Sequence, residues 1–211
     1  MPGVEGTESE FRERLSAILT ATPPLMQVLS VARHLSLPDW LVFSGAIYQP
    51  VLNHLTGRPL DYGIKDYDLA YFDGSDLSYE AEDVVIRRVA GAFEEPLRSM
   101  VEVRNQARVH LWFEAKFGEP YTPLCCTAEA LERFTSATFA IGARLEGDDR
   151  LHIEAPFGLE DLFALRLRPN PRRHTLHFGR TAAAALRRWP ELAIEANNGP
   201  KPQGRLNPGM L

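Results

Sequence analysis

The stretch KDYDLAYFD, residues 65–73, constrains the fold of this chain more than any other. Leu69, Ala70, Tyr71 and Phe72 have the length and the aromatic and aliphatic content of a buried strand. Asp66 and Asp68 stand at its start. Successive strand residues alternate sides, so the two carboxylates project to one face while Tyr67 and Leu69 take the other. Two close carboxylates repel, and a divalent cation between them makes the arrangement favourable. An isolated Asp-x-Asp also serves to cap a turn, with Lys65 as its neutralising charge, so the rest of the chain must decide.

Helical patterns surround this strand. Phe11, Leu15, Ile18 and Leu19 recur at helical spacing within residues 8–34, and Thr22-Pro23-Pro24 breaks that run in two. DWLVFSG, residues 39–45, reads as a short strand ending in Ser44-Gly45, followed by a helical AIYQPVLNHLTG closed by Gly57. Residues 78–93 predict a helix capped by Ser78, with Val84, Val85, Val89 and Phe93 on its apolar stripe. Residues 99–114, SMVEVRNQARVHLWFE, alternate with period two and predict the longest strand. A helix capped by Thr127 over 127–136, a hairpin over 137–158 turning at 146–149, and helices over 158–167 and 181–189 follow. Trp40, Trp112 and Phe113 read as core. We find no repeat or linker. The reading is a single α/β domain over 1–195, with its working core in 35–125 and a C-terminal hairpin and helices in 126–195. The Gly-, Pro- and Asn-rich segment 197–211 reads as a disordered tail.

Composition narrows the function classes. With 211 residues, 45% hydrophobic, 24% charged and a net charge of -5, the chain matches an ordinary soluble domain and argues against bulk nucleic-acid binding. No apolar run approaches the roughly 20 residues that cross a bilayer. The acidic start has no apolar signal segment, which predicts a cytoplasmic protein without a membrane partner. Cys125 and Cys126 are adjacent and read as reduced thiols, a poor basis for structural zinc.

Two features favour the metal reading of Asp66 and Asp68. Ser44-Gly45, between a strand and a helix, is an arrangement whose backbone N–H groups and positive helix end receive phosphate. On the long strand, Glu102, Arg104, Gln106, Arg108 and His110 share one face by parity, opposite Val101, Val103, Asn105, Ala107, Val109 and Leu111. If that strand neighbours the Asp-x-Asp strand, Glu102 supplies a third carboxylate. The remaining four then form a polar, cationic floor suited to a triphosphate. A solvated face with a Glu-Arg ladder is the plainer alternative. Asp161 reads as a polar helix position, and Arg166, Arg168, Arg172 and Arg173 as a solvated basic cluster. Three acids, a Ser-Gly turn and a cationic strand are together what metal-assisted nucleotidyl transfer requires.

At these residues the sequence resembles the nucleotidyltransferase superfamily, and more closely a bacterial family of uncharacterised nucleotidyltransferase-like proteins. WLVFSGAIYQPVLNHLTG, KDYDLAYFD, VEVRNQARVHLWFE and APFGLEDLFALRLRPN carry the resemblance across residues 40 to 170. It implies a mixed sheet flanked by helices, a Mg²⁺ (or Mn²⁺) site, and transfer of a nucleoside monophosphate from a nucleoside triphosphate to an unidentified acceptor. By motif position Ser44 and Gly45 match the phosphate turn and Asp66 and Asp68 the metal pair. Glu102 as third acid rests on strand parity. The chain departs from the pattern in three places: Ala46 follows the turn where a hydroxyl is usual, Tyr48-Gln49 replace an Arg-Asn type pair, and Pro50 predicts an interrupted helix. Those departures keep a second reading open, a degenerate descendant that binds a nucleotide, RNA or a protein. A metal-dependent phosphohydrolase is a third, and the six His residues form no cluster to support it.

Overall fold

A computed structural model describes residues 6–173 and 177–195. The proposed tail, 197–211, lies outside the described residues. Two helices come first, α1 (Glu8–Thr20) and α2 (Pro23–Leu35), meeting at a 95° bend at the predicted break. Then come β1 (Leu41–Phe43), α3 (Gly45–Leu55), β2 (Tyr67–Tyr71), α4 (Tyr79–Gly91), α5 (Leu97–Met100) and β3 (Val101–Asn105). A 3-10 turn over Gln106–Leu111 leads to α6 (Phe113–Phe117), and a second one spans Ala128–Arg133. The chain finishes with β4 (Gly142–Leu145), β5 (Leu151–Glu154), α7 (Glu160–Phe163), β6 (Arg166–Leu167), α8 (Phe178–Arg188) and β7 (Ala193–Ile194). Among the described residues no single helix is long and apolar enough to cross a membrane.

The main sheet is mixed, in the order β3-β2-β1-β4-β5, with β2 and β3 parallel and the other pairs antiparallel. Val42, Leu69 and Val103 sit opposite one another across three strands and point into the main core, where α1, α2 and α3 cover them. Leu41 points to the other face and packs with Leu131 and Ala140, beside Phe43 and Phe134. The helical cover makes β2 buried on both sides beyond Asp68, as its composition demands.

Several expectations fail, each for a local reason. The long strand ends at Asn105. The buried Asn105 side-chain oxygen accepts from the Ala107 and Asp73 N–H groups, both at 3.1 Å, and its amide donates to the Asp73 carbonyl at 2.8 Å. That side chain satisfies a turn in place of the next ladder rung, and period two stops there. Gln106, Arg108 and His110 therefore leave the face shared by Glu102 and Arg104.

The apolar stripe of α4 is also misassigned: Val84 is 64% exposed, whereas Glu82 is 5% exposed. Glu82 goes inside because Arg108 pairs with it and the Asn105 N–H donates to it at 2.9 Å. The helix expected over 158–167 shrinks to α7. Its chain turns at Leu165, with φ 54°, into β6, which pairs with β7. The 127–136 helix is a 3-10 segment. Thr127 gives its hydroxyl to the Asp39 carbonyl and makes no capping bond.

Pro50, expected to interrupt a helix, lies inside α3 without breaking it. The forfeited Ala46 bond costs about 3 kcal/mol. Burial of Ile47, Val51 and Leu52 in the main core offsets it, at about 1.5–3 kcal/mol each. Trp40 is core, but Trp112 and Phe113 are half-buried at the rim of a cavity.

Candidate active site

β1 ends one residue before a strained turn. Ser44 has φ 65° and ψ -139°, a backbone region that glycine occupies easily and other residues at a cost of order 1–3 kcal/mol. Its carbonyl accepts from the Ile47 and Tyr48 N–H groups at 3.0 and 3.2 Å. The strain holds the start of α3 directly behind the last residue of β1. Gly45 follows because a Cβ there would overlap the Gln49 side-chain amide, which folds back across the helix start. Gln49 is itself fixed by Arg188 from the end of α8, whose guanidinium donates to Gln49 Oε1 at 2.6 Å. Arg188 also stacks on Trp189, 4.9 Å from the ring centre, and would lie 3.2 Å from a side chain at Gly63. Sequence reasoning missed this cation. The only signal was the basic end of an alanine-rich helix, and its proximity to residue 49 exists only after the chain closes.

The acids come from two neighbouring strands. Phe43 on β1, Asp68 on β2 and Glu102 on β3 are direct cross-strand partners, so the three side chains share one face in a single row. Asp66 precedes them by two positions, just outside β2. Leu41, Ala70 and Arg104 form the next row on the same face. Asp68 is partly buried, and burial, followed by the charges of Asp66 and Glu102, raises its pKa from 3.8 to about 6. The Ser44 hydroxyl and Arg104 work against that rise. Asp68 thus feels all four of the other site groups. Tyr48, stacked on Phe139 with ring centres 3.9 Å apart, has its phenol pushed up to about 12 by burial, with the charges of Asp66 and Asp68 adding to the effect.

The other residues proposed from sequence are placed differently. Arg108 is buried and bound: it pairs with Glu82 and donates to the Leu77 carbonyl at 2.8 Å. His110 sits on the 3-10 turn, half-buried, with an Nδ1 that finds no partner among the described residues. Gln106 is buried and donates weakly, at 3.5 Å, to the Arg104 carbonyl. Arg166 and Arg168 pair with Asp161 at 3.2 and 2.5 Å, Arg172 pairs with Glu132 at 2.8 Å, and Arg173 pairs with Glu119. Asp161 is thus spent on arginines.

Two hollows share Arg104 and Trp112 in their lining. The larger, about 790 Å³, lies outside the edge strand β3 against Tyr79, Arg108 and Lys116. The smaller, about 190 Å³, lies over the sheet between Phe43, Arg104 and the second 3-10 turn.

Among the described residues no three His, Cys, Asp or Glu side chains are already gathered as a metal cage. The donor set nonetheless fits Mg²⁺. It offers hard oxygen ligands, and the repulsion from Asp66 and Glu102, which adds to burial in raising the Asp68 pKa, is what a divalent cation relieves. Asp66 and Glu102 are exposed on either side of Asp68, which leaves both free to rotate toward a shared ion.

No curated protein sequence matches the chain. A protein whose NMR structure is described as revealing a CCA-adding enzyme head domain shares this fold, with a TM-score of 0.67 and 23% identity. The match covers 84% of this chain and 94% of that one. A family model described as Nucleotidyltransferase matches residues 30–194, which span the Ser44-Gly45 turn, the acidic row and the C-terminal helix that carries Arg188, and the chain therefore belongs to that nucleotidyltransferase family.

Proposed function

We propose that the protein transfers a nucleoside monophosphate from a nucleoside triphosphate to an acceptor hydroxyl, with Asp66, Asp68 and Glu102 holding Mg²⁺. The observation that carries this reading is the register that sets Glu102 beside Asp68, with Asp66 close enough to add to the electrostatic load. Bound there, Mg²⁺ would supply charge neutralisation to the triphosphate and to the departing pyrophosphate. The start of α3 offers backbone N–H groups at Gly45 and Ala46, and Arg188, bound to Gln49, and Arg104, which acts on Asp68, offer cations. A carboxylate of the acidic row takes the proton of the acceptor hydroxyl. The freed oxygen forms a bond to the α-phosphorus as the bond to the pyrophosphate oxygen breaks in line.

The test is thermal unfolding of the full chain with Mg²⁺ and each of the four nucleoside triphosphates. One of them raises Tm, by the linkage of binding to folding, and Asp68→Ala abolishes the rise. No shift with any triphosphate would favour the degenerate, non-catalytic descendant.

A further inference from the structure

We infer that the open cleft of about 790 Å³ outside β3 is the acceptor site, and that it takes a small acceptor with an aromatic ring and an anionic group, a carboxylate or a phosphate; the inference rests on the nucleotidyl-transfer reading and deepens it. α4 contributes Tyr79 and Asp83 to the lining, and Trp112 and Lys116 come from the start and body of α6. Arg104 connects the cleft to the acidic row. It lies one row beyond Glu102 on the same face of β3, its charge acts on the Asp68 carboxyl, and its side chain also lines the cleft. A ligand held against Arg104 there is one arginine side chain away from the carboxylates of the row.

Charge sets the class of ligand. Of the charged residues in the lining, Arg108 is paired with Glu82, and Asp83 is paired with Arg87. Arg104 and Lys116 remain. Neither forms an ion pair with a described residue, and Arg104 spends one guanidinium nitrogen on the Val103 carbonyl at 2.8 Å. Two cations without ion-pair partners thus line one cleft of a protein whose net charge is -5, and an anionic group on the ligand is what they recruit.

Aromatic surface sets the body of that ligand. Tyr79, the first residue of α4 after its Ser78 cap, is 61% exposed and lies outside the core. The Lys116 ammonium stands 5.5 Å from the Trp112 ring centre and 5.3 Å from that of Phe117, and the Arg108 guanidinium 5.9 Å from that of Tyr79. Rings backed by cations offer planar surface to an aromatic ligand, whose anionic substituent then meets Lys116 or Arg104. Clefts lined by aromatic side chains and a few charged groups are the usual sites of small molecules. A hydroxyl oxygen on this ligand forms the bond to the α-phosphorus, pyrophosphate leaves, and the hydroxyl proton passes to a carboxylate of the acidic row.

The test uses the full chain with isotope-labelled tryptophans, in Mg²⁺ and excess inorganic tripolyphosphate to fill the phosphate turn. The indole N–H resonance of Trp112, identified by its loss in Trp112→Phe, is followed by NMR during titration with phenyl phosphate, benzoate, benzyl alcohol or inorganic phosphate. Phenyl phosphate or benzoate should shift that resonance, and not those of Trp40 and Trp189, with an affinity about tenfold above benzyl alcohol and inorganic phosphate. Whichever of the two binds tighter identifies the anionic group. Lys116→Gln should weaken it about fivefold. Ala115→Glu, which sets an acid in the same lining, should weaken it at least as much, and both positions are exposed, so the fold tolerates either change. Lys116 and Ala115 line the larger cleft alone, which separates it from the smaller hollow that Trp112 shares. Equal binding of inorganic phosphate or of benzyl alcohol would overturn the inference, as would affinities that neither substitution alters. A parallel calorimetric titration with Mg²⁺ and each of the four nucleoside triphosphates separates the two readings. Binding by one of them leaves nucleotidyl transfer standing when the cleft fails, and absence of binding by all removes that reading and the acceptor role with it.

Discussion

A carboxyl partly removed from water and pressed by Asp66 and Glu102 keeps its proton up to about pH 6, against an ordinary 3.8. Between those values folded Asp68 binds more protons than the unfolded chain does, so its contribution to stability is full below about 3.8 and falls as pH rises through 6. At neutral pH the metal-free protein carries the whole penalty. Asp68→Asn should therefore raise the unfolding free energy at pH 7.5 by about 1–3 kcal/mol in chemical denaturation, while transfer is lost. The gain should vanish near pH 4. A variant less stable than the parent at pH 7.5 would show that neither burial nor the neighbouring acids penalise the charged carboxylate. Gly45→Ala is the complementary case: its methyl displaces Gln49 and releases Arg188, and triphosphate affinity should drop about tenfold in the same titration. The aspartate pair and the Ser-Gly turn were legible because each is a contiguous motif whose chemistry needs no partner. Arg188 was not, since it meets Gln49 across 139 positions.

The elements were read well where one period ran its full length, as in α1, α2, β2 and α8. They were misread where a polar side chain stopped the period. Asn105 is the clearest instance: alternation continues past it in the residue types, but its amide closes a turn. Glu82 is the second. A glutamate on an apolar stripe reads as exposed, and only the arrival of Arg108 from a later element makes its burial tolerable. This pair holds α4 against the turn that follows β3. Arg108→Ala leaves a buried unpaired charge and should cost about 3–5 kcal/mol in urea unfolding. Arg108→Met combined with Glu82→Leu should be milder than the single change. A loss below about 1 kcal/mol for Arg108→Ala would mean that water reaches Glu82.

For the whole molecule, the sequence conveyed a mixed sheet under helices but not how the C-terminal part closes on the rest. Asn53, fully buried on α3, makes that closure. Its amide donates to the Leu60 and Tyr62 carbonyls at 3.0 and 2.9 Å, and its oxygen accepts from the Trp189 indole at 2.9 Å. A single helix position thus ties together the loop before β2 and the end of α8. Trp189→Ala empties a large buried volume and orphans that oxygen, for an expected loss of about 3–5 kcal/mol. Because Arg188 rests on the same indole, triphosphate-induced stabilisation should weaken in that variant beyond what its lower Tm alone explains. An unchanged ligand-induced shift would separate Arg188 from phosphate binding.

Phe43 and Ser44 are joined by one peptide bond, so the residue beneath the aromatic cavity and the residue that bends the chain toward the phosphate turn cannot shift independently. Under the nucleotidyl-transfer reading, a ligand that moves one residue also moves the other, and thermodynamic reciprocity makes such a linkage equal in both directions.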